Sequence, residues 1–240
     1  MNKDLNERIE IFAKLLFKSR YPVFFTGAGM STESGLPDFR GPDGIWTRQD
    51  KGLAPKPISK PWDSFEPNSG HLAIAELQKV GKLKFLISQN VDNLHLKSGI
   101  LPDSLAELHG NITKLRCTRC GKTIDRSAAK TICQCGGALT RSVVDFGQPL
   151  PERDLILSFE HSRKSDLFVV VGSSLVVTPA ADMPKEALRS SSKLVIINEG
   201  KTPFDVYAHL RFYEKTGEVL LRVVKRLKIL MGLEQNNIKV

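Results

Sequence analysis

A doubly wound α/β fold, with a parallel sheet covered on both faces and a small inserted module, is the class that this 240-residue sequence predicts. Three observations lead to it. Four short apolar runs, at 22–26, 83–88, 167–171 and 193–197, are separated by helical or loop segments, the alternation of a parallel sheet buried on both sides. The first run, Pro22-Val23-Phe24-Phe25, feeds straight into a glycine-rich turn, a junction that brings bare backbone N–H groups close to a bound anion. All four cysteines fall within one stretch, 112–141, which reads as an insert.

Taken in order, the elements follow from periodicity. Leu5, Ile9, Phe12 and Leu16 recur at helical spacing and predict an amphipathic opening helix that packs on the sheet. The strand at 22–26 comes next, then the glycine-rich turn. Residues 42–69, rich in Pro, Gly and Lys, read as a long functional loop. A helix at 70–80 precedes the strand at 83–88, and helices at 179–190 and 217–231 flank the strand at 193–197. The last helix carries Leu220, Val223, Leu227 and Leu230. The main unit is therefore 1–111 together with 142–240, interrupted by the module at 112–141.

With 41% apolar residues the chain can bury a full core. No apolar run approaches the roughly 20 residues that span a bilayer, and residues 1–7 lack a signal-peptide core, so no membrane partner and a cytoplasmic location are expected. The net charge of +9 suits an anionic ligand or a nucleic acid. Its basic residues are scattered, without an aromatic-interleaved stripe, so dedicated nucleic-acid binding is not expected.

The turn reads Gly27-Ala28-Gly29-Met30-Ser31-Thr32-Glu33-Ser34-Gly35-Leu36-Pro37-Asp38-Phe39-Arg40-Gly41. Thr32 stands where the dinucleotide fingerprint has Gly or Ala, and Ser34-Gly35-Leu36-Pro37 ends any helix at once. Such a loop is shaped to surround a nucleotide rather than only touch its pyrophosphate. Four further blocks follow: Ser88-Gln89-Asn90-Val91-Asp92-Asn93-Leu94-His95, Glu107-Leu108-His109-Gly110-Asn111, Gly172-Ser173-Ser174-Leu175 and Ile197-Asn198. In this order and at these strand ends, the five blocks resemble the signatures of the sirtuins, NAD-consuming protein-lysine deacylases. The resemblance spans nearly the whole chain and implies a Rossmann-like NAD-binding domain.

Cys117-x-x-Cys120 and Cys133-x-Cys135, each pair followed by a glycine, read as two knuckles that hold a tetrahedral zinc ion. Disulfides and a redox pair are the rivals, and a reducing compartment disfavours the former. Many sirtuins have two residues between the second pair where this chain has one. Four thiolates leave a zinc ion no open position, so the metal is structural.

Site roles come from the resemblance. It implies that His109 is the general base for the ribose hydroxyls, a task suited to a side chain that titrates near neutrality. Asp92 would hold the nicotinamide carboxamide, Gln89 and Asn90 the adjoining ribose and its water, and Val91 a pocket wall. Asn90 acts in catalysis as well as in binding; on chemistry alone, Asn90 and Asp92 also read as helix caps. NAD would lie across Gly27, Ala28, Gly29, Thr32, Asp38, Phe39 and Arg40. It would further touch Gly172, Ser173, Ser174, Asn198 and Gly200, and by family alignment Trp46 and Thr216. Val144, Asp145, Phe146 and Gly147 match the segment that pairs an acylated-lysine substrate as an added β-strand. Relatives often carry an aromatic or aliphatic residue at the Asp145 position and Glu at the Gln148 position. His95 reads as a packed helix residue.

The expected activity is acyl transfer from lysine to ADP-ribose. Protein mono-ADP-ribosylation from the same pocket is the rival. Residues 41–47 with Asp145-Phe146 resemble the sirtuin branch for which that activity and long-chain deacylation are described, whereas 172–177 with 202–205 look like bacterial and archaeal deacetylases. A non-catalytic NAD-binding scaffold on nucleic acid is the third reading, favoured only by the charge.

Overall fold

The fold was described from a computed structural model covering residues 4–58, 60–145 and 147–235. Helix α1 (Leu5–Lys18) starts at Asp4, whose carboxylate accepts the Glu7 N–H at 2.8 Å, and it buries Ile9, Phe12, Ala13 and Leu16. Strand β1 (Pro22–Thr26) is buried throughout and leads into a 3-10 turn, Ala28–Ser34. Gly35, at φ 95°, closes that turn in the left-handed region where glycine carries no Cβ penalty. The loop that follows holds the short helix α2 (Ile45–Asp50) and a 3-10 turn at Trp62–Ser64, with its other described residues irregular.

Helix α3 (Ser69–Lys79) opens with a capping box between Asn68 and His71 and leads to β2 (Phe85–Ser88), α4 (Leu94–Lys97) and β3 (Leu105–Glu107). Three short antiparallel strands come next: β4 (Lys114–Cys117), β5 (Thr123–Asp125) and β6 (Leu139–Arg141). Then follow α5 (Glu152–Lys164), β7 (Leu167–Val171), α6 (Met183–Arg189), β8 (Lys193–Ile197), β9 (Leu210–Phe212) and α7 (Thr216–Leu230).

The main sheet has the order β3-β2-β1-β7-β8-β9, and every pairing is parallel. From β1 the chain winds one way through β2 and β3; from β7 it winds the other way through β8 and β9. The crevice between β1 and β7 is thus the topological switch point where open α/β sheets bind ligands. Alternation along β1 splits the core. Phe24 packs with Phe12, Ile74, Val169 and Val223 on one face, and Val23 and Phe25 pack with Phe85, Phe168 and Met183 on the other.

Departures from the sequence expectation have physical causes. Helix α5 was not anticipated, because two of the residues it buries are serines, Ser158 and Ser162, and its apolar period is diluted. Edge strands β3 and β9 have three residues each, too few to show a period. The run at 83–88 pairs only from Phe85, and the helix expected at 179–190 begins as a 3-10 turn, Ala180–Asp182, before the regular helix starts at Met183 with a proline in its first turn.

Candidate active site

At the switch point lies a cavity of about 1330 Å3. Its floor is glycine on glycine. Gly27 N–H donates to Val171 O at 3.0 Å and Gly29 N–H to Gly172 O at 2.9 Å, so the ends of β1 and β7 touch through bare backbone. A Cβ on Gly27 would stand 2.7 Å from Gly172 O, and one on Gly172 would stand 2.1 Å from Met30 N. No other residue type fits either position, which is why the loop needs glycines although the dinucleotide fingerprint is incomplete.

The end of β2 and the segment after β3 supply the reactive groups. His109 is half-buried, and its Nδ1 lies 2.8 Å from Gln89 O. A carbonyl only accepts, so Nδ1 carries the proton and Nε2 keeps its lone pair. Burial lowers the pKa of the imidazole, partly offset by that carbonyl bond. Gln89 donates its side-chain amide to Ser173 Oγ at 2.7 Å, joining the two halves of the sheet.

Beneath them Ser31 forms a bridge. Its hydroxyl donates to Asp92 Oδ2 at 2.6 Å and accepts from Asn90 Nδ2 at 3.2 Å. Asp92 Oδ1 accepts the Leu94 N–H at 2.9 Å in a turn that leads into α4, but the N-cap of that helix is Asn93, which makes no side-chain cap bond, so neither Asn90 nor Asp92 is the cap. Asn90 is buried, and its Oδ1 has no partner among the described residues, which leaves a buried acceptor for a ligand.

The remaining sequence candidates line the same cavity. Burial raises the pKa of Asp38 against the opposing Gly41 N–H bond. Phe39 packs on Trp46 at 4.8 Å between ring centres, and the Arg40 guanidinium lies 4.7 Å over the same indole while pairing with Asp50. Ala28, Thr32, Val91, Ser174, Asn198, Gly200 and Thr216 are also in the wall. Asn198 donates to Gly200 O at 2.9 Å, and the Thr216 hydroxyl donates to Glu33.

On the opposite rim stand Val144, Asp145 and Gly147; Phe146 lies outside the described residues. Val144 N–H donates to His109 O at 3.0 Å, which ties this segment to the histidine. The Asp145 N–H donates to the Gln148 side chain at 3.0 Å, and the Asp145 carboxylate pairs with Arg141 at 2.6 Å.

His95 is indeed a packed residue. It is buried, with Nε2 2.8 Å from Thr26 Oγ1 and its ring 5.0 Å from that of His71. Two residues that sequence reasoning missed are Ser31 and Glu33, both inside the first block. Glu33 Oε2 accepts the Gly217 N–H at 2.8 Å and so supplies the N-terminus of α7 with the carboxylate that Lys215 does not. No local pattern signals either contact, because the partners are 61 and 184 residues away.

Cys117, Cys120, Cys133 and Cys135 lie apart from the cavity, with all four Sγ atoms within 4.8 Å of one another. None is in a disulfide. The Cys117 Sγ accepts backbone N–H bonds, which lower its pKa. Four sulfur donors in a closed cluster fit a zinc ion held without an open position.

Known proteins bear on this geometry directly. A family model described as the Sir2 family matches residues 27–61 and 56–179. The chain is 40% identical over 234 residues to an NAD-dependent protein deacetylase of Arabidopsis thaliana, covering 92% of this chain and 50% of that one. It is 36% identical to an NAD-dependent protein deacetylase of Thermodesulfovibrio yellowstonii, covering 95% of this chain and 98% of the other. It therefore spans about half the length of the plant relative and nearly all of the bacterial one.

Among solved structures, a Sir2 homologue bound to ADP-ribose superposes with a TM-score of 0.78 at 34% identity, covering 95% of this chain and 99% of that one. A Sir2 protein with a deacetylated peptide and acetyl-ADP-ribose gives 0.74, also at 34%, covering 90% and 97%. On these grounds the chain belongs to the Sir2 family, the sirtuins.

Proposed function

We propose that this protein is an NAD-dependent protein-lysine deacylase that yields nicotinamide, O-acyl-ADP-ribose and free lysine. One observation carries the reading: His109 has its tautomer set by Gln89 O, keeps a free Nε2, and shares a cavity with the Ser31 bridge between Asn90 and Asp92. NAD is the co-substrate, and it supplies the ribose that receives the acyl group.

Each residue then has a task. Gly27 and Gly29 let the pyrophosphate approach the backbone, and Ser173, Ser174 and Asn198 meet ribose hydroxyls. Asp92, oriented by Ser31 and by Leu94 N–H, receives the carboxamide of nicotinamide, while the free Asn90 Oδ1 orders the ribose side. His109 Nε2 accepts the proton from the ribose hydroxyl as the acyl group transfers. The main chain around Val144 and Gly147 pairs an acyl-lysine peptide as a strand, which demands little of its sequence. Cys117, Cys120, Cys133 and Cys135 would hold zinc, which supplies rigidity to the small sheet.

The test is incubation with NAD and an acetyl-lysine peptide, reading both products by mass. Loss of the acetyl group with appearance of acetyl-ADP-ribose is expected. A protein that gains ADP-ribose while the peptide keeps its acetyl group would assign mono-ADP-ribosyl transfer instead. Absence of NAD consumption overturns both. Among the described residues no helix is long and apolar enough to cross a membrane. A cytoplasmic location is supported by cysteines grouped as thiolate ligands rather than cross-links. Cell fractionation checks it.

A further inference from the structure

Asn111 is completely buried at the junction where the chain enters and leaves the small sheet. Every polar group of its side chain is engaged. Nδ2 donates to Glu107 Oε1 at 2.5 Å and to Asn93 Oδ1 at 2.9 Å, and Oδ1 accepts from Thr113 N at 2.9 Å and from Thr113 Oγ1 at 2.8 Å. A carboxylate only accepts and a backbone N–H only donates, so the amide has one possible orientation. Its own N–H donates to Ser142 Oγ at 3.1 Å, just past β6 where the chain leaves the small sheet.

Two of these partners sit beside the reactive groups. Glu107 ends β3, two residues before His109, and its second oxygen pairs with Lys114 Nζ at 2.8 Å. Asn93 directly follows Asp92 and holds φ 68°, a left-handed conformation that asparagine adopts more readily than other non-glycine residues, and its side-chain oxygen is held by the Asn111 amide. That bond fixes the turn directly after Asp92. The next residue, Ile112, donates its N–H to Val91 O at 2.9 Å, so the same junction grips the nicotinamide loop on both sides of Asp92.

We infer that Asn111 is a positioning residue for the nicotinamide pocket: through Glu107 and Asn93 it fixes the His109 strand end against the Asp92 loop. The inference rests on the deacylase reading for its pocket assignment, and on nothing else in that reading. Adenosine-side contacts at Gly27, Ser173 and Asn198 are not bonded to Asn111. A change at Asn111 therefore separates nicotinamide recognition from ADP-ribose recognition.

Asn111→Asp keeps the size of the side chain but replaces the donor that faces two acceptors, Glu107 and Asn93, with a carboxylate oxygen that can only accept. In calorimetry on the ADP-ribose-saturated protein, nicotinamide affinity should fall at least tenfold, with ADP-ribose affinity changed less than twofold. The double variant Asn111→Asp, Glu107→Gln reverses donor and acceptor, since the new amide can donate to the new carboxylate. It should recover nicotinamide affinity to within about threefold of wild type.

Should Asn111→Asp fail to fold, Asn93→Gly removes that bond from the other end while permitting the same φ. It should show the same loss. Unchanged nicotinamide affinity in a folded variant, or ADP-ribose affinity falling in parallel, overturns the inference. Binding needs no turnover. The split between variant and wild type, together with a wild type that consumes no NAD, overturns the deacylase reading alone.

Discussion

At the scale of single residues, the proposed mechanism makes turnover depend on the protonation of His109. The proposed base is the neutral imidazole, and burial lowers its pKa, so it stays unprotonated to a more acidic pH than an exposed histidine. The acid limb of kcat/KM should therefore lie below the ordinary value of 6.5. His109→Ala should cut deacylation by roughly a hundredfold or more and abolish that limb, while leaving the melting temperature in place. Near-normal turnover in this variant would remove His109 from the mechanism. The Ser31 bridge shows a different kind of dependence, since its hydroxyl has no chemistry of its own and acts by holding Asn90 and Asp92 in register.

At the scale of elements, two devices govern how stability responds to solution conditions. The first is the histidine pair where α3 and α4 meet. Burial holds the pKa of His95 at about 4, and burial with the nearby His95 pushes His71 well down, only weakly opposed by Asp92. Below pH 6.5 the unfolded chain binds protons that the folded chain refuses, so stability falls as the pH drops from 6.5 towards 4. For His95 the loss is on the order of 3 kcal/mol. His71→Gln keeps an acceptor for the Asn68 N–H and removes one of these titrations. Denaturant unfolding at pH 7 and pH 5 should show a shallower acid loss in that variant; an unchanged loss would assign it elsewhere.

The second device is the cysteine cluster. Binding free energy at a closed thiolate site is also folding free energy. Chelation or Cys120→Ser should unfold the small sheet and, through Ser142 and Asn111, disturb the catalytic segments. Activity and zinc content should fall together. Full activity and an unchanged melting profile after chelation would refute the assignment.

At the scale of the molecule, acyl choice follows from what the cavity lacks. Sirtuins that prefer succinyl or malonyl groups carry a Tyr-x-x-Arg pair for the distal carboxylate, and this chain has no tyrosine between Tyr21 and Tyr207. Arg40, in the cavity wall, already pairs with Asp50 and lies over Trp46. A buried carboxylate without a partner costs several kcal/mol, enough to suppress turnover by orders of magnitude. A neutral chain instead gains about 0.8 kcal/mol per buried methylene. On one peptide, kcat/KM should rank acetyl-lysine or longer neutral acyl-lysines well above succinyl-lysine, and the reverse order would overturn this account.

The strands β1, β7 and β8, the glycine turn, the cysteine knuckles and the helix α7 were legible in the sequence, because each rests on local chemistry: a run of apolar residues, a turn former, a ligand spacing. His109 was singled out among five histidines only by the motif around it, since nothing in an isolated imidazole distinguishes a base from a core residue. Tertiary structure decided the rest. It buried Ser158 and Ser162 of α5, set Ser31 against Asp92, and brought Glu33 to the start of α7. It also made Asn111 the meeting point of three segments. These are pairings between distant parts of the chain, fixed by the order of strands in the sheet, and strand order leaves no periodic trace in a single sequence.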